Sequence, residues 1–400
     1  MPKDPLNGKK IVLGITGCIA AYKSPLLLRA LILRGADVKV VMTPAATKFI
    51  TPLTLSSLSQ NNVIVNMFPE SNTGNTDLNT WHIDLAQWAD LVLIAPATIN
   101  TVAKIANGFA DNALTTLISA VRSPVIIAPA ADVDMYQNQL TQDNLAKLES
   151  LGFYLIQAET GELASGLKGI GRLAETNKIC DVVELVLTGY KKDLSGKKIL
   201  VTAGPTYEDI DPARYLGNRS SGKMGFALAK AAYLRGADVT LVSGPSNEYA
   251  YPEIKRFDVR SAVQMKDNVV KQFKLNDLLI MAAAVADFKP NSVSSRKIKK
   301  SNHIKEIKLT QTQDILSSIN NDNKKVIGFA LESDNELTNA KRKLKEKNLD
   351  MIVLNSLKDK KSGFEYDTNR VTLIKKNGRS LKLPLQSKFQ IANKILSELM

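Results

Sequence analysis

The chain has 400 residues, 44% of them apolar and 23% charged, enough for two or three domains that each bury a core. Its only cysteines, Cys18 and Cys180, exclude a disulfide framework and point to a reducing cytoplasm. The net charge of +14 is carried by the second half, where residues 191–400 hold 39 Lys and Arg against 23 Asp and Glu. That excess suits either nucleic acid or polyanionic small molecules such as a nucleotide with a phosphorylated acid. The lack of interleaved aromatics and of a helix-turn-helix or OB pattern speaks for the small molecules.

The start, Met1-Pro2-Lys3-Asp4-Pro5, shows no signal-peptide pattern. The longest apolar runs, such as Leu278 to Ala286, are too short to span a bilayer, so a soluble protein with no membrane partner is expected. The first strand runs from Lys10 to Gly14 and leads into the loop Gly14-Ile15-Thr16-Gly17, a helix from about Cys18 to Arg34, and a second strand, Val38 to Met42. This βαβ opening aims backbone N–H groups at an anion. A dinucleotide binder would show an acidic residue at the end of the second strand; Thr43-Pro44 stands there instead. A hydroxyl before a Pro-started helix predicts an N-cap and a further phosphate corner, which favours a mononucleotide such as FMN over NAD.

The third strand, Asp90 to Ile94, runs into Ala95-Pro96-Ala97-Thr98-Ile99-Asn100-Thr101, small and hydroxyl or amide residues against which a flat ring could lie. Upstream, Trp81-His82-Ile83 carries one of two histidines; from its surroundings His82 reads equally as a structural or surface residue and as a base. A fourth strand, Pro124 to Ala128, delivers Pro129 to Tyr136, and Gly161 to Arg172 forms a Gly-rich loop of the length used for lids and clamps.

At Gly196-Lys197-Lys198 the chain begins again, echoing Gly8-Lys9-Lys10, and Leu234-Arg235-Gly236-Ala237-Asp238-Val239 repeats Leu33-Arg34-Gly35-Ala36-Asp37-Val38. Two related α/β units follow, residues 1–190 and 191–400, joined by the polar run Tyr190 to Ser195. The second echo is displaced further than the first, so the second copy's opening loop, around Tyr207 to Arg219, is the longer. A loop lengthened at the carboxyl end of a strand is where such folds place sites. It ends in Ser220-Ser221-Gly222-Lys223, which suits a phosphate but lacks P-loop order; Asn218 reads from its setting as a turn residue. The strand Asp277 to Met281 continues into Ala282 to Asp287, where small residues let a base or ribose approach. The run Lys297-Ile298-Lys299-Lys300 is a solvated loop unless an anion pins it. Val326 to Ala330 and Asp350 to Leu354 are further strands separated by a lysine-rich helix, and Asn377-Gly378 predicts a hairpin at the sheet edge.

These motifs together resemble, from end to end, the bifunctional phosphopantothenoylcysteine decarboxylase / phosphopantothenate-cysteine ligase family of coenzyme A synthesis. The resemblance implies two doubly wound, Rossmann-like parallel-sheet domains, the first of the flavodoxin and flavin-decarboxylase type. It implies that residues 191–400 ligate cysteine to 4′-phosphopantothenate with CTP and Mg²⁺ through an acyl-cytidylate. Residues 1–190 would then decarboxylate the product on FMN, which oxidises the cysteine thiol before carboxylate loss and returns a hydride afterwards. On the matching motifs, the FMN site would comprise Gly14, Thr16, Gly17, Thr43, Pro96, Ala97, Thr98 and Asn100, with His82 as active-site histidine. Asn218 would act on the acyl-cytidylate, and Lys297 would serve condensation. Asp287, Lys297, Gln313, Asp314, Ile315, Leu316, Phe329, Lys343 and Lys347 would contact CTP. Homo-oligomers, with trimeric decarboxylase and dimeric ligase domains, are also implied.

This sequence departs from the family at two places. Asp132 follows Ala131 where the family has Met-Asn, with Tyr136 for Trp, and Ser165 replaces the cysteine that donates the final proton; a hydroxyl is a far weaker acid than a thiol. Two other readings stand beside this one: a basic nucleotide- or nucleic-acid-binding protein without chemistry, and a flavin decarboxylase acting on a peptide cysteine.

Overall fold

The computed structural model describes residues 4–68, 80–299, 306–319, 324–359 and 362–399; Met1 to Lys3 and Lys300 lie outside them. The chain divides into two units, Lys3–Tyr190 and Lys191–Met400. Among the described residues no helix is long and apolar enough to cross a membrane.

The first unit comprises β1 (Lys10–Ile15), α1 (Ser24–Leu33), β2 (Asp37–Met42), α2 (Pro52–Ser59), α3 (Trp81–Trp88), β3 (Leu91–Ala97), α4 (Ile99–Ala106), α5 (Ala113–Ala120), β4 (Val125–Pro129), α6 (Val133–Gln137), α7 (Gln139–Ser150), β5 (Tyr154–Leu155), β6 (Glu159–Glu162), β7 (Lys168–Arg172) and α8 (Thr176–Leu187). β1 to β5 form a parallel sheet in the order β2-β1-β3-β4-β5, the flavodoxin-like arrangement whose chain reverses between β1 and β3. Helices cover both faces, so the central strands are apolar throughout: β3 is buried along its whole length.

Three local expectations are corrected. The helix expected from Cys18 begins only at Ser24, behind a 3₁₀ turn at Ile19–Lys23, because Pro25 lacks the N–H that an α-helix running through it would need. Thr43 caps no helix: Pro44 opens a turn leading into a 3₁₀ segment capped by Ala45. The Thr-Pro cap forms at the next such pair, where the Thr51 hydroxyl accepts from Thr54 N before α2. The Gly161–Arg172 stretch is a β-hairpin, β6 with β7, rather than an irregular loop.

The second unit comprises β8 (Lys198–Ala203), β9 (Tyr207–Asp211), β10 (Arg214–Gly217), α9 (Lys223–Leu234), β11 (Asp238–Ser243), β12 (Lys255–Asp258), α10 (Ala262–Phe273), β13 (Leu278–Met281), β14 (Phe288–Pro290), β15 (Leu309–Gln311), β16 (Lys325–Glu332), α11 (Glu336–Glu346), β17 (Met351–Ser356), β18 (Thr368–Asn369), β19 (Val371–Lys375), β20 (Ser380–Lys382), β21 (Gln386–Ser387) and α12 (Lys388–Ser397). Its main sheet runs β12-β11-β8-β13-β16-β17-β19-β20. The first six strands are parallel in the doubly wound order, reversing between β8 and β13, and the β19–β20 hairpin adds an antiparallel edge. One face packs against α9 and α12, the other against α10 and α11. The longer opening loop is the β9–β10 hairpin.

The repeated Leu-Arg-Gly element has the same task in both units. Arg34, just after α1, donates from Nε to Asp4 Oδ2 at 3.0 Å. Arg235, just after α9 and fully buried, grips Asp193 through Nε (2.8 Å) and Nη2 (2.6 Å) and gives Nη1 to the Asn393 carbonyl at 2.9 Å. Each arginine thereby ties the end of the unit's first helix to the residues preceding its first strand.

Candidate functional sites

In the first unit, the strand ends at the β1/β3 reversal are joined by one buried side chain. Thr16 Oγ1 donates to the Pro96 carbonyl (2.7 Å) and accepts from Thr98 N (2.8 Å), while Thr16 N reaches the same carbonyl at 3.3 Å. Above this junction opens a cavity of about 1000 Å³ whose walls include Gly17, Lys23, Thr43, Thr98, Asn100, Asp132, Glu162 and Arg172. Of the residues expected to hold the cofactor, Gly17, Thr43, Thr98 and Asn100 face the cavity; Gly14, Thr16, Pro96 and Ala97 stand behind its wall and shape it through the backbone. A Cβ on Gly17 would fall 2.5 Å from Ala45 Cβ, so only glycine lets this loop close on the corner after β2.

Two buried polar atoms of the cavity wall, Thr43 Oγ1 and Lys23 Nζ, have no hydrogen-bond partner among the described residues. A buried ammonium and hydroxyl left unpaired are costly; together they fit the phosphate of a mononucleotide. Lys23 was missed by sequence reasoning because a lysine in an apparent first helix carries no distinguishing pattern.

Asp132 lines the same cavity, and its Oδ2 accepts a short hydrogen bond from Ser165 Oγ at the tip of the β6–β7 hairpin. A Cβ on Gly171 would meet the Ala131 carbonyl at 2.3 Å, so glycine there lets the hairpin lie against the Asp132 segment. The two departures from the family pattern are therefore bonded to each other. His82, half-buried on α3 with its ring 5.6 Å edge-on to Trp81, is not among the residues of the cavity wall.

In the second unit a cavity of about 780 Å³ opens at the β8/β13 reversal. Its walls bring together Asn218, Asp287, Gln313 to Leu316, Phe329, Lys343 and Lys347, which come from five separate segments. Asn218 Nδ2 donates to the carbonyls of Ala284 (3.1 Å) and Val285 (3.0 Å), so it is not a mere turn residue. Lys343 Nζ reaches the Phe329 carbonyl at 3.4 Å; Lys347 pairs with Asp314 and donates to Ser317 Oγ at 3.2 Å. Burial works to raise the Asp314 carboxyl, but the bonds from Lys347 and the backbone outweigh it and hold the group below its ordinary value. Gln313 accepts from Lys266. Lys297 is exposed and outside the walls; its neighbour Ile298 is anchored by N–H to Asp211 Oδ2 (3.1 Å) and by its carbonyl to Arg214 Nη2 (2.9 Å).

Backbone approaches shape this site too. A Cβ on Gly244 would lie 1.7 Å from the Pro205 carbonyl oxygen, and one on Gly222, at φ +85°, would meet Gly204 N at 3.1 Å. Among the described residues no three His, Cys, Asp or Glu side chains cluster as a metal site. Lys223 and the buried Lys388 also line the cavity; Lys388 carried no sequence signal.

A flavodoxin-ordered unit with a phosphate-ready cavity, followed by a doubly wound unit with a lysine-rich one, defines a two-domain flavoprotein-type α/β enzyme. Residues 1–188 match the Flavoprotein family, and residues 194–400 match the DNA/pantothenate metabolism flavoprotein C-terminal domain. The chain is 44% identical over 396 residues to the coenzyme A biosynthesis bifunctional protein CoaBC of Vibrio cholerae, covering 98% of each, and 41% identical to that of Bacillus subtilis, covering 98% of this chain and 97% of the relative. It is also 48% identical over 359 residues to a cysteine/cysteine sulfinic acid decarboxylase from an unknown prokaryote, covering 88% of this chain and 99% of that one. A crystal structure of the C-terminal domain of a CoaBC protein is 40% identical with a TM-score of 0.44, over 52% of this chain and 95% of that one. The chain belongs to the CoaBC family of bifunctional coenzyme A biosynthesis proteins, and is an enzyme with phosphopantothenate-cysteine ligase and phosphopantothenoylcysteine decarboxylase activities.

Proposed function

We propose that the C-terminal half, residues 191–400, activates 4′-phosphopantothenate with CTP through an acyl-cytidylate, and that the N-terminal half, residues 1–190, decarboxylates the cysteine adduct with FMN, in the cytoplasm. The supporting observation for the ligase is the convergence of Asn218, Asp287, Gln313 to Leu316, Phe329, Lys343 and Lys347 on one cavity. Lys343 and Lys347 offset the nucleotide's charge. Asn218 uses its amide nitrogen to bond the Ala284 and Val285 carbonyls, which leaves its carbonyl oxygen to accept from an incoming amine at the intermediate. Lys297, exposed and outside the cavity wall, would add positive charge beside that amine once substrate is bound. Mg²⁺ would be held chiefly by the phosphates, as is usual for this ion, with Asp287 or Asp314 as single protein ligands. Release of CMP rather than AMP during ligation is the expected result; equal or greater AMP formation removes the CTP assignment while leaving a ligase.

For the decarboxylase, Lys23, Thr43 and the loop at Gly17 would hold the FMN phosphate, with Thr98 and Asn100 along the ring. FMN supplies reversible two-electron oxidation of the cysteine thiol. Asp132 lines the cavity and Ser165 does not, which supports Asp132, carrying a proton taken from solvent on its other oxygen, as the group that would give the final proton, with Ser165 holding its carboxyl in position. Mass spectrometry of products from phosphopantothenoylcysteine tests this. Saturated phosphopantetheine is expected from the wild type, and a product two mass units lighter from Asp132→Ala. If Ser165→Ala alone gives the lighter product, the donor is Ser165. Free cysteine serves as a control substrate, given the relative named for acting on it.

The first unit exposes Ile19, Tyr22, Leu26 and Leu53, each more than half accessible, and the first two also border the cavity. That apolar rim supports the homo-oligomer implied by the resemblance, trimeric for the decarboxylase half and dimeric for the ligase half, in which a neighbour's His82 would complete the site. Co-assembled His82→Asn and Asp132→Ala chains should then form saturated phosphopantetheine, which neither makes alone; no recovery would place His82 outside a shared site.

A further inference from the structure

The ligase cavity receives lysines from both faces of the sheet. Lys343 and Lys347 come from α11 and its C-terminus, on the α10–α11 face. Lys223 and Lys388 open α9 and α12, which pack together on the other face. We propose that Lys223 and Lys388 form a second phosphate-binding end of this cavity, so that it seats phosphoryl groups from both faces at once.

Lys388 is 5% exposed, an unusual place for a lysine unless something compensates its charge. Its ammonium donates to the carbonyls of Gly363 (2.9 Å) and Phe364 (3.3 Å), which accounts for two of its three N–H groups. Lys223 donates to the Glu365 carbonyl (3.1 Å) and to Asp367 (2.6 Å), whose side chain is 88% exposed. Burial, then the Lys223 charge, push the Lys388 ammonium down to about 8 against the weaker opposing pull of Asp367 and Glu248. A pair of lysines that only anchored the loop 363–367 would need neither the burial of one ammonium nor its closeness to a second cation. An anion between them relieves both. Asn355 and Asn369 also line the cavity; Asn369 Nδ2 donates to Asn355 Oδ1 at 3.0 Å, which leaves the Asn355 amide to reach phosphate oxygens.

This rests on the nucleotide-dependent ligase reading, which supplies two candidate phosphoryl groups: the triphosphate tail that departs as pyrophosphate, and the 4′-phosphate of the pantothenate substrate. Calorimetric titration of the full FMN-loaded chain with inorganic pyrophosphate, 4′-phosphopantothenate and CMP separates them. In Lys388→Gln, one of the first two probes should bind at least tenfold more weakly with CMP unchanged, and Lys388→Arg should recover part of the loss. Weakened pyrophosphate identifies the tail, and weakened phosphopantothenate the substrate's phosphate. Binding of that probe at pH 8.5 should also take up protons in the wild type and not in Lys388→Gln. Lys223→Gln, at a more accessible position, should reproduce the selective loss should Lys388→Gln fail to fold. Unchanged binding of both phosphate probes in the Gln variants, or an equal loss of CMP, overturns the proposal. A wild-type chain that binds none of the three probes removes instead the reading on which it rests.

Discussion

Replacing Thr16 with Val removes one oxygen from the junction between β1 and β3 and leaves shape nearly unchanged. The Pro96 carbonyl keeps an N–H from Thr16 at 3.3 Å, but Thr98 N loses the partner it had at 2.8 Å. Losing the hydroxyl's bond costs about 1 kcal/mol, and leaving a largely buried amide unpaired about 1–3 kcal/mol. A loss of about 2–3 kcal/mol in the stability of the first unit is expected. Thr98 faces the cavity, so flavin affinity should fall by roughly tenfold, the equivalent of about 1.4 kcal/mol. Thr16→Ser keeps the hydroxyl and loses only a methyl group, about 1 kcal/mol. Urea denaturation followed by flavin fluorescence measures both. If Val falls no further than Ser, the hydroxyl is not what joins the strand ends.

Asn218→Asp and Lys297→Gln should each lose phosphopantothenoylcysteine formation while retaining flavin absorbance; wild-type ligation in either withdraws that residue's role. Gly244→Ala would place a methyl 1.7 Å from the Pro205 oxygen, and should lower the second unit's melting stability by about 3 kcal/mol or more; a soluble variant of wild-type stability refutes the close approach. Glu184, buried beside Arg34, is pushed up to about 7, burial outweighing the arginine. A carboxyl raised in the folded state binds more protons there than in the unfolded chain, so its contribution is present below about 4.5 and is lost as pH rises through 7. The first unit should therefore weaken by about 1–3 kcal/mol between pH 5 and 8, and Glu184→Gln should abolish most of that slope in denaturation experiments; an unchanged slope assigns it elsewhere.

The parts of the fold that could be read from the sequence are those governed by local pattern. Apolar runs such as Pro124 to Ala128 and the paired Leu-Arg-Gly elements gave strand, helix end and strand to within a residue or two, because continuous burial and a glycine stop leave few alternatives. What escaped depends on encounters between distant segments. Lys23 and Lys388 acquire meaning only through the cavities they enter, and the Ser165–Asp132 bond spans 33 residues and depends on a hairpin that glycine spacing had suggested was a loop. Thr43 was expected both to cap a helix and to form a phosphate corner; it caps none, and among the described residues its hydroxyl has no partner in the cavity wall.

The arginine ties at Arg34–Asp4 and Arg235–Asp193 bear on how the two activities are packaged. Each joins groups on one side of the boundary after Tyr190, so a break there severs neither. Separate genes for the halves would thus each encode a self-fastened fold, and cells supplied with both pieces in trans should make the same product as cells with the fusion.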